Sequence, residues 1–434
     1  MPSTIGLRQW NIASRPDRLW LPVSELATGA GGLNLPPELL AQAGLSVGDE
    51  LLAEVGPHGL RLTADRLRKV YVEITSTCNL ACATCIRRAW DEPLGHMPLT
   101  RFRRLIEGLS EVRESISTTP VTLSLSGFGE PLMHPEFLTL VQLARERGLS
   151  VELITNGTLL DAKLAASLAE LGLAQVAVSL DAGDEEVYGR IRGGAWGSIV
   201  DAVKALAEAR RRARTPMAVG AAFVATLRNV RSLPRLMQLA RDLDLDFVWL
   251  SNVVPHTAEM AAEMLWGHTA WVVSFPPTGW RPRLITAPFD LNEAIGPALS
   301  SLWELGPVLP PPGLDGLWQR NYCRFAHEGM LAVRWDGCVA PCLSLLHTHP
   351  EYVNGHWKMV QSYIVGHVDE QSLADIWREP AYRTLRQRLR NFDFPACFAC
   401  GGCPDAESNE LDCYGNPLPA CGECLWAQGI VLCP

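Results

Sequence analysis

The sequence predicts an α/β protein: a partial parallel (β/α)6 barrel with a small β-rich module before it and a cysteine-rich domain after it. Three observations lead there. Six short apolar strand-like runs alternate with helix-period segments from Val70 onward. A Pro-started helix and a hairpin pattern fill the preceding stretch. Ten of the thirteen cysteines fall at or beyond Cys323. The resulting divisions are residues 1–68, a barrel over 69–255, a connecting region over 256–320 and a cysteine-rich region over 321–434.

Composition narrows the class. The 434 residues are 47% hydrophobic and 20% charged, ordinary for a globular protein, with a net charge of −9. No global basic field would draw this chain to nucleic acid or anionic lipid. No apolar run approaches a membrane span, and the opening "MPSTIGLRQWNIASRPDRLW" lacks a signal-like apolar core. A cytoplasmic location is expected, and there a high cysteine count points to metal or redox chemistry rather than disulfides.

In residues 1–68, "LNLPPELLAQAGLSVGDELLAEVGPHGLRL" reads as a short strand, a helix from Pro36 to Ala43, and a hairpin turning at Gly56–Gly59. This pattern resembles the swapped-hairpin module of AbrB- and MazE-type regulators, which implies a dimer. Six Arg against seven Asp or Glu leave no excess for phosphate neutralisation, so docking or dimerisation is the expected role, not DNA binding.

The barrel strands are expected at Val70–Thr75, Val121–Gly127, Ser150–Gly157, Gln175–Asp181, Met217–Thr226 and Asp246–Val254. "PEFLTLVQLARERG" and "DAKLAASLAELG" have apolar residues at helical spacing between them. Alternation of this kind implies a parallel sheet with its chemistry at the C-terminal strand ends. Residues 256–320 are Pro-rich and expected to loop over the surface or barrel mouth. From about Tyr322, little periodicity is visible, so ligand bonds are expected to stand in for a full hydrophobic core.

The chemistry-bearing motif is "CNLACATC", just past the first strand. Cys78, Cys82 and Cys85 have the spacing C-x3-C-x2-C. Three thiolates on one loop suit a cubane iron–sulfur cluster with one iron left open; the other reading is a zinc loop completed by a distant ligand such as His96.

This loop resembles that of radical S-adenosylmethionine (SAM) enzymes. The resemblance implies a 4Fe–4S cluster whose open iron holds the amino and carboxylate groups of SAM, and an electron that releases a 5′-deoxyadenosyl radical. Further fragments follow in family order. "SGFGEP", with Gly127, Gly129 and Glu130, looks like the segment that contacts the methionine amino group, although Phe128 stands where a glycine is common. Asn156 lies in "TNG" at the third strand's end. Ser179 and Asp181 end the fourth, where side chains could bind a ribose. Arg192 either pairs with the SAM carboxylate or faces outward. Thr84 replaces the aromatic residue that often precedes the third cysteine, so no adenine contact carries over.

Downstream, Cys323, then Gly337, Cys338 and Cys342, then Cys397, Cys400, Cys403, Cys413, Cys421, Cys424 and Cys433 resemble the SPASM extension of radical SAM maturases. That implies one or two auxiliary 4Fe–4S clusters. The extension's usual C-x2-C-x5-C-x3-C spacing is not reproduced, and paired zinc ribbons at 397/400 and 421/424 are the alternative.

The segments "CIRRAWDEPLGHM", "WLSNVVPHTAEM" and "CGECLWAQGIVLCP" resemble the radical SAM proteins associated with tungsten-containing aldehyde:ferredoxin oxidoreductases. A maturase acting on that enzyme or its tungsten–pterin cofactor is implied, with a ferredoxin or flavodoxin as electron donor. The alternatives are a peptide-modifying maturase and a non-catalytic cluster-bearing scaffold. Trp90 and Trp426 read as cluster shields. Arg87 and Arg88 read either as an anion site or as a solvated helix face.

Overall fold

A computed structural model of the chain describes residues 51–56, 59–115, 121–267, 272–273, 283–286, 289–290, 293–304, 321–395, 397 and 403–432. The chain divides into two units, Met1–Asp65 and Arg66–Pro434. In the first unit, β1 (Leu51–Gly56) and β2 (Gly59–Ala64) pair antiparallel and bring Gly56 opposite Gly59, as the hairpin reading expects. The expected helix Pro36–Ala43 lies outside the described residues.

The second unit is organised by one ten-stranded sheet. Its parallel part holds all six expected strands in chain order: β3 (Lys69–Val72), β4 (Thr122–Leu125), β5 (Ser150–Thr155), β6 (Gln175–Ser179), β7 (Ala218–Ala225) and β8 (Phe247–Asn252). Helices on the sheet's face bury its apolar side chains. Phe137, Leu140, Val141 and Ala144 recur at helical spacing on α2 (Phe137–Glu146), which follows α1 (Leu99–Ser115), and all four are buried. Asp161 and Asp184 cap the first turns of α3 (Ala162–Glu170) and α4 (Glu185–Ile191), accepting from the Leu164 and Val187 amides at 2.7 and 3.0 Å. These caps start the helices right after the exits of β5 and β6, where the candidate site lies. α5 (Trp196–Ala213) and α6 (Leu233–Asp242) complete the repeats.

Two regions depart from expectation. Within 256–320, a short helix α7 (Ala258–Ala261) is followed by β9 (Val272–Val273), β10 (Arg283–Thr286), β11 (Phe289–Asp290) and α8 (Ile295–Glu304). β10 adds a further parallel strand beside β8. Four residues flanked by Pro282 and Pro288 are too few to show a period, so the sequence disguises it.

The C-terminal region is also more regular than its sequence suggests. After α9 (Arg324–Glu328), β12 (Met330–Val333) is wholly buried and pairs parallel with β3. β13 (Cys338–Ala340) and β16 (Gly366–His367) extend the sheet, β14 (His349–Val353) and β15 (His356–Val360) form a hairpin, and α10 (Leu373–Arg378) and α11 (Pro380–Asn391) pack Trp377, Tyr382 and Leu385 into the core. A hydrophobic core therefore exists there, and among the described residues of the region only 403–432 is largely irregular. The junction is close: Gly329 has φ +71°, a Cβ there would lie 1.8 Å from the Arg66 carbonyl oxygen, and the Arg68 amide donates to the Gly329 carbonyl at 2.7 Å. Only glycine fits that position.

Candidate functional site

β3 ends and the chain passes through Glu73–Thr77 into the three-cysteine loop. The thiols of Cys78, Cys82 and Cys85 are close enough to act on one another electrostatically. Burial pushes Cys82 up to about 11 and raises Cys85, with the Arg192 charge pulling Cys82 back. Such thiols keep their protons until a cation displaces them. Among the described residues no group of three or more His, Cys, Asp or Glu closes on a single metal ion. His96, the sequence's candidate for a fourth zinc ligand, is exposed, bridges to Thr75 and sets its ring edge-on to His134.

The neighbouring strand exits grip this loop. Gly129 lies directly against it: a Cβ there would meet the Thr75 and Thr77 carbonyl oxygens at 2.1 and 2.7 Å. The glycine thus lets β4's exit seat on the loop, a packing need the sequence reading assigned to ligand approach. The Glu130 amide donates to the Thr77 carbonyl at 2.8 Å. Its buried carboxylate accepts from the Thr155 hydroxyl and Asn156 amide, both 2.6 Å, and from the Leu132 amide at 3.0 Å. Burial nevertheless raises its pKa. Three donors on a group with about four acceptor sites leave room for one more.

Asn156 faces the thiols themselves. Its Nδ2 donates to Cys78 Sγ at 3.7 Å and to Asn79 Oδ1 at 2.9 Å, and Asn79 donates on to the Thr158 hydroxyl at 2.8 Å. An N–H donor on a ligand sulfur is a known lever on cluster potential. Sequence reasoning placed Asn156 at the site but could not see which atom it touches, and it missed Asn79.

Asp181, the expected ribose contact, is held from within the protein. It is fully buried, with Oδ1 accepting from the Val224 amide at 2.6 Å and Oδ2 from Arg192 Nε at 2.7 Å. Burial alone would lower the Arg192 pKa, but Asp181 and then Cys82 raise it, so a fixed positive charge stands beside the loop. Arg192 therefore does not face outward. Ser179 is half-buried at the end of β6, and Gly127 precedes Phe128 where β4 leaves the sheet. Arg88 donates to the Ala83 carbonyl at 3.3 Å, an exposed local bond, while Arg87 is half-buried and close enough to Cys85 to act on its charge.

The Asp181–Arg192 pair yields a prediction. Asp181→Asn should destabilise the fold by about 3 kcal/mol, because one buried charge is left uncompensated. Asn tolerates the φ of +53° found here, so the backbone adds little. Denaturant unfolding checks this, and a change within error of zero would refute it.

The C-terminal thiols sort into groups the spacing did not reveal. Cys323, Cys342, Cys421 and Cys424 are mutually coupled. Burial is the first cause in each, pushing Cys424 up to about 12 and Cys342 and Cys421 well above the ordinary thiol range. The Cys397 sulfur lies beside Gly422 and is coupled to Cys413. Cys338 stands apart, its thiol against Arg334 and Asp336 at 3.6 and 3.7 Å. Cys400 and Cys433 lie outside the described residues. Leu425, Ile430 and Val431 pack on Val253, Met260 and Trp266, with Trp426 at the edge of this apolar cluster.

Comparison with known proteins places these observations. Residues 72–220 match the radical SAM superfamily, and residues 323–404 match SPASM, an iron–sulfur cluster-binding domain. A tungsten-containing aldehyde ferredoxin oxidoreductase cofactor-modifying protein from Pyrococcus furiosus is 30% identical over 379 residues, 85% of this chain and 97% of its own. An Fe-coproporphyrin III synthase from Methanosarcina barkeri is 33% identical over 186 residues, 43% of this chain and 44% of its own. Among solved structures, anSMEcpe with bound AdoMet shares the fold, with a TM-score of 0.50 at 17% identity over 83% of this chain and 95% of that one. Streptococcus suis SuiB bound to S-adenosylmethionine does so too, at 0.50 and 15% over 78% and 71%.

Proposed function

The chain belongs to the radical SAM superfamily, in the family of the tungsten-containing aldehyde ferredoxin oxidoreductase cofactor-modifying protein, and on that premise we propose that it cleaves SAM to mature the tungsten–pterin cofactor or its oxidoreductase. The observation that carries the chemistry is the three-thiol loop gripped by Glu130, Asn156 and the Asp181–Arg192 pair at successive strand exits. The observation that supports the substrate is the relative matched along nearly its whole length.

Cys78, Cys82 and Cys85 would hold a 4Fe–4S cluster, which when bound supplies the electron for reductive cleavage of SAM to a 5′-deoxyadenosyl radical. Around it the chain's own residues bind and orient. Glu130 offers its remaining acceptor site to the ammonium of SAM, in a dehydrated setting where that contact is strong. Arg192, aimed by Asp181 through Nε, presents its other nitrogens to a carboxylate. Asn156 holds the Cys78 sulfur in place.

Cys323, Cys342, Cys421 and Cys424 are assigned one auxiliary cluster, and Cys397, Cys400, Cys403 and Cys413 a second. Cys338 is assigned to neither. A ferredoxin or flavodoxin would supply electrons. The N-terminal hairpin unit is assigned docking or homodimerisation, in keeping with its AbrB-like pattern.

The test is release of 5′-deoxyadenosine from SAM by reduced, cluster-loaded protein, with and without tungsten–pterin cofactor or apo-oxidoreductase. Clear stimulation by either is expected. Slow, unstimulated cleavage would move the substrate to a peptide, and no cleavage would favour the scaffold reading.

A further inference from the structure

Two carboxylates and one imidazole that the SAM reading leaves unused meet where β3, the segment after Cys85 and the C-terminal region converge. His347 Nε2 lies 3.0 and 3.3 Å from the two oxygens of Glu73, and Nδ1 lies 2.5 Å from Glu92 Oε2. His347 and Glu73 are each 1% exposed. A neutral imidazole has one N–H and one bare nitrogen. Between two carboxylates, the bare nitrogen would face an acceptor with no water to intervene, a costly arrangement. With both nitrogens protonated, both contacts become charge-assisted hydrogen bonds. The Trp90 ring lies 4.0 Å from the imidazole, centroid to centroid, an approach that favours a cation over a neutral ring.

Among the described residues, few other charges surround the group. Arg334, at the exit of β12, is 3.5 Å from Glu92 Oε2 and is itself paired with Asp336 at 2.6 Å. The other donors are backbone: the Thr348 amide to Glu92 at 3.2 Å and the Phe128 amide to Glu73 Oε2 at 3.0 Å. The second of these matters most. Glu73 takes His347 on one side and the backbone of the Gly127–Glu130 segment on the other, so the C-terminal domain reaches the SAM-facing strand exit through two hydrogen bonds. Phe128 closes the contact, its ring 5.4 Å from Trp90 and 5.6 Å from His347.

We propose that His347 is a positioning residue held as an imidazolium between Glu73 and Glu92, through which the C-terminal domain fixes the strand exit and loop that bind SAM. The SAM half rests on the reading above, whereas the charged clamp stands on geometry alone. Burial by itself would favour the neutral ring, but Glu73 and then Glu92 outweigh it and raise the pKa. The sign follows: the clamp is fully formed below the unfolded-state value and weakens as pH rises through the folded one.

The test uses the full, cluster-loaded chain and measures equilibrium SAM binding and the thermal midpoint against pH. Wild type should lose affinity as pH rises above neutrality, beyond any loss that His347→Gln also shows. His347→Gln should bind SAM about tenfold more weakly at neutral pH, with iron content unchanged. Adding Glu92→Gln should restore part of both affinity and midpoint, because two facing carboxylates no longer repel across an uncharged side chain. A role in packing alone predicts additive losses and no rescue, and that result would overturn the proposal. Should His347→Gln fail to fold, Glu92→Gln alone and the wild-type pH profile decide, and a profile flat through the alkaline range overturns the clamp. Wild type that binds no SAM would sink the SAM reading and this inference with it. Wild type that binds SAM while His347→Gln binds equally well would sink the inference only.

Discussion

Cys82→Ala is expected to abolish 5′-deoxyadenosine formation while leaving the C-terminal iron in place. Cys82 is the central thiol of the loop, coupled to Cys78, Cys85 and Arg192 alike. Removing a partner in a metal site's outer shell costs about 10–100-fold; removing a ligand from a site with only three should cost well beyond that. Among the described residues no group of three or more His, Cys, Asp or Glu closes on a metal ion, so no ready replacement ligand stands by. Asn156 Nδ2 donates to the Cys78 sulfur and cannot ligate in this role, and His96 bridges to Thr75 through its backbone and sets its ring against His134. The fold should survive, because the strand exits are tied by Glu130 to Thr77, Thr155 and Asn156, none of which involves Cys82. The expected result is a near-native thermal midpoint, one cluster's worth of iron missing, and no SAM cleavage. Cleavage at more than a trace by this variant would remove the loop from the mechanism.

Much of this architecture was legible from residue order. Buried parallel strands read as short apolar runs, and the segments around β3 to β8 show them, with helix-period segments between and Asp caps starting the helices after β5 and β6. The exit residues were legible for the same reason: Gly, Asn, Ser and Asp at strand ends are turn formers, and here they arrive on successive strands. What lay hidden was pairing across distance. β12 is four apolar residues with no alternation to reveal it, and its partner β3 lies at the other end of the unit. Glu73, Glu92 and His347 sit in unrelated stretches, so nothing local signals their convergence. Roles within the site were equally obscure. Asp181 ends a strand as expected, but its carboxylate spends both oxygens inside the protein, on Arg192 and Val224. Gly129 read as a ligand-approach glycine, and the packing need that also requires a glycine there lay hidden.

The grouping of the C-terminal cysteines leads to the other large effect. Cys424→Ala should remove one auxiliary cluster and loosen the chain's last segment, while SAM cleavage without substrate continues. Cys323, Cys342, Cys421 and Cys424 come from three separate stretches, so a shared cluster closes long loops much as a disulfide would. Losing it should cost ~3 kcal/mol or more, by analogy with a native disulfide. The segment it anchors is identifiable. Leu425, Ile430 and Val431 pack on Val253, Met260 and Trp266; Asn252 donates to the Ile430 carbonyl at 2.9 Å, and the Leu432 amide to Ser251 at 3.0 Å. Hydrogen exchange should therefore rise across 421–432 and around 251–266, yet stay unchanged in β4 to β6. Loading should also depend on pH in a set direction. Burial holds Cys424 near 12 and its neighbours high, so these thiols stay protonated when empty and must release protons to iron. Reconstitution should then proceed further as pH rises, and Cys424→Ala should remove that dependence for one cluster only. Full iron content with unaltered exchange in the variant would break the group of four apart and return Cys424 to a packing role.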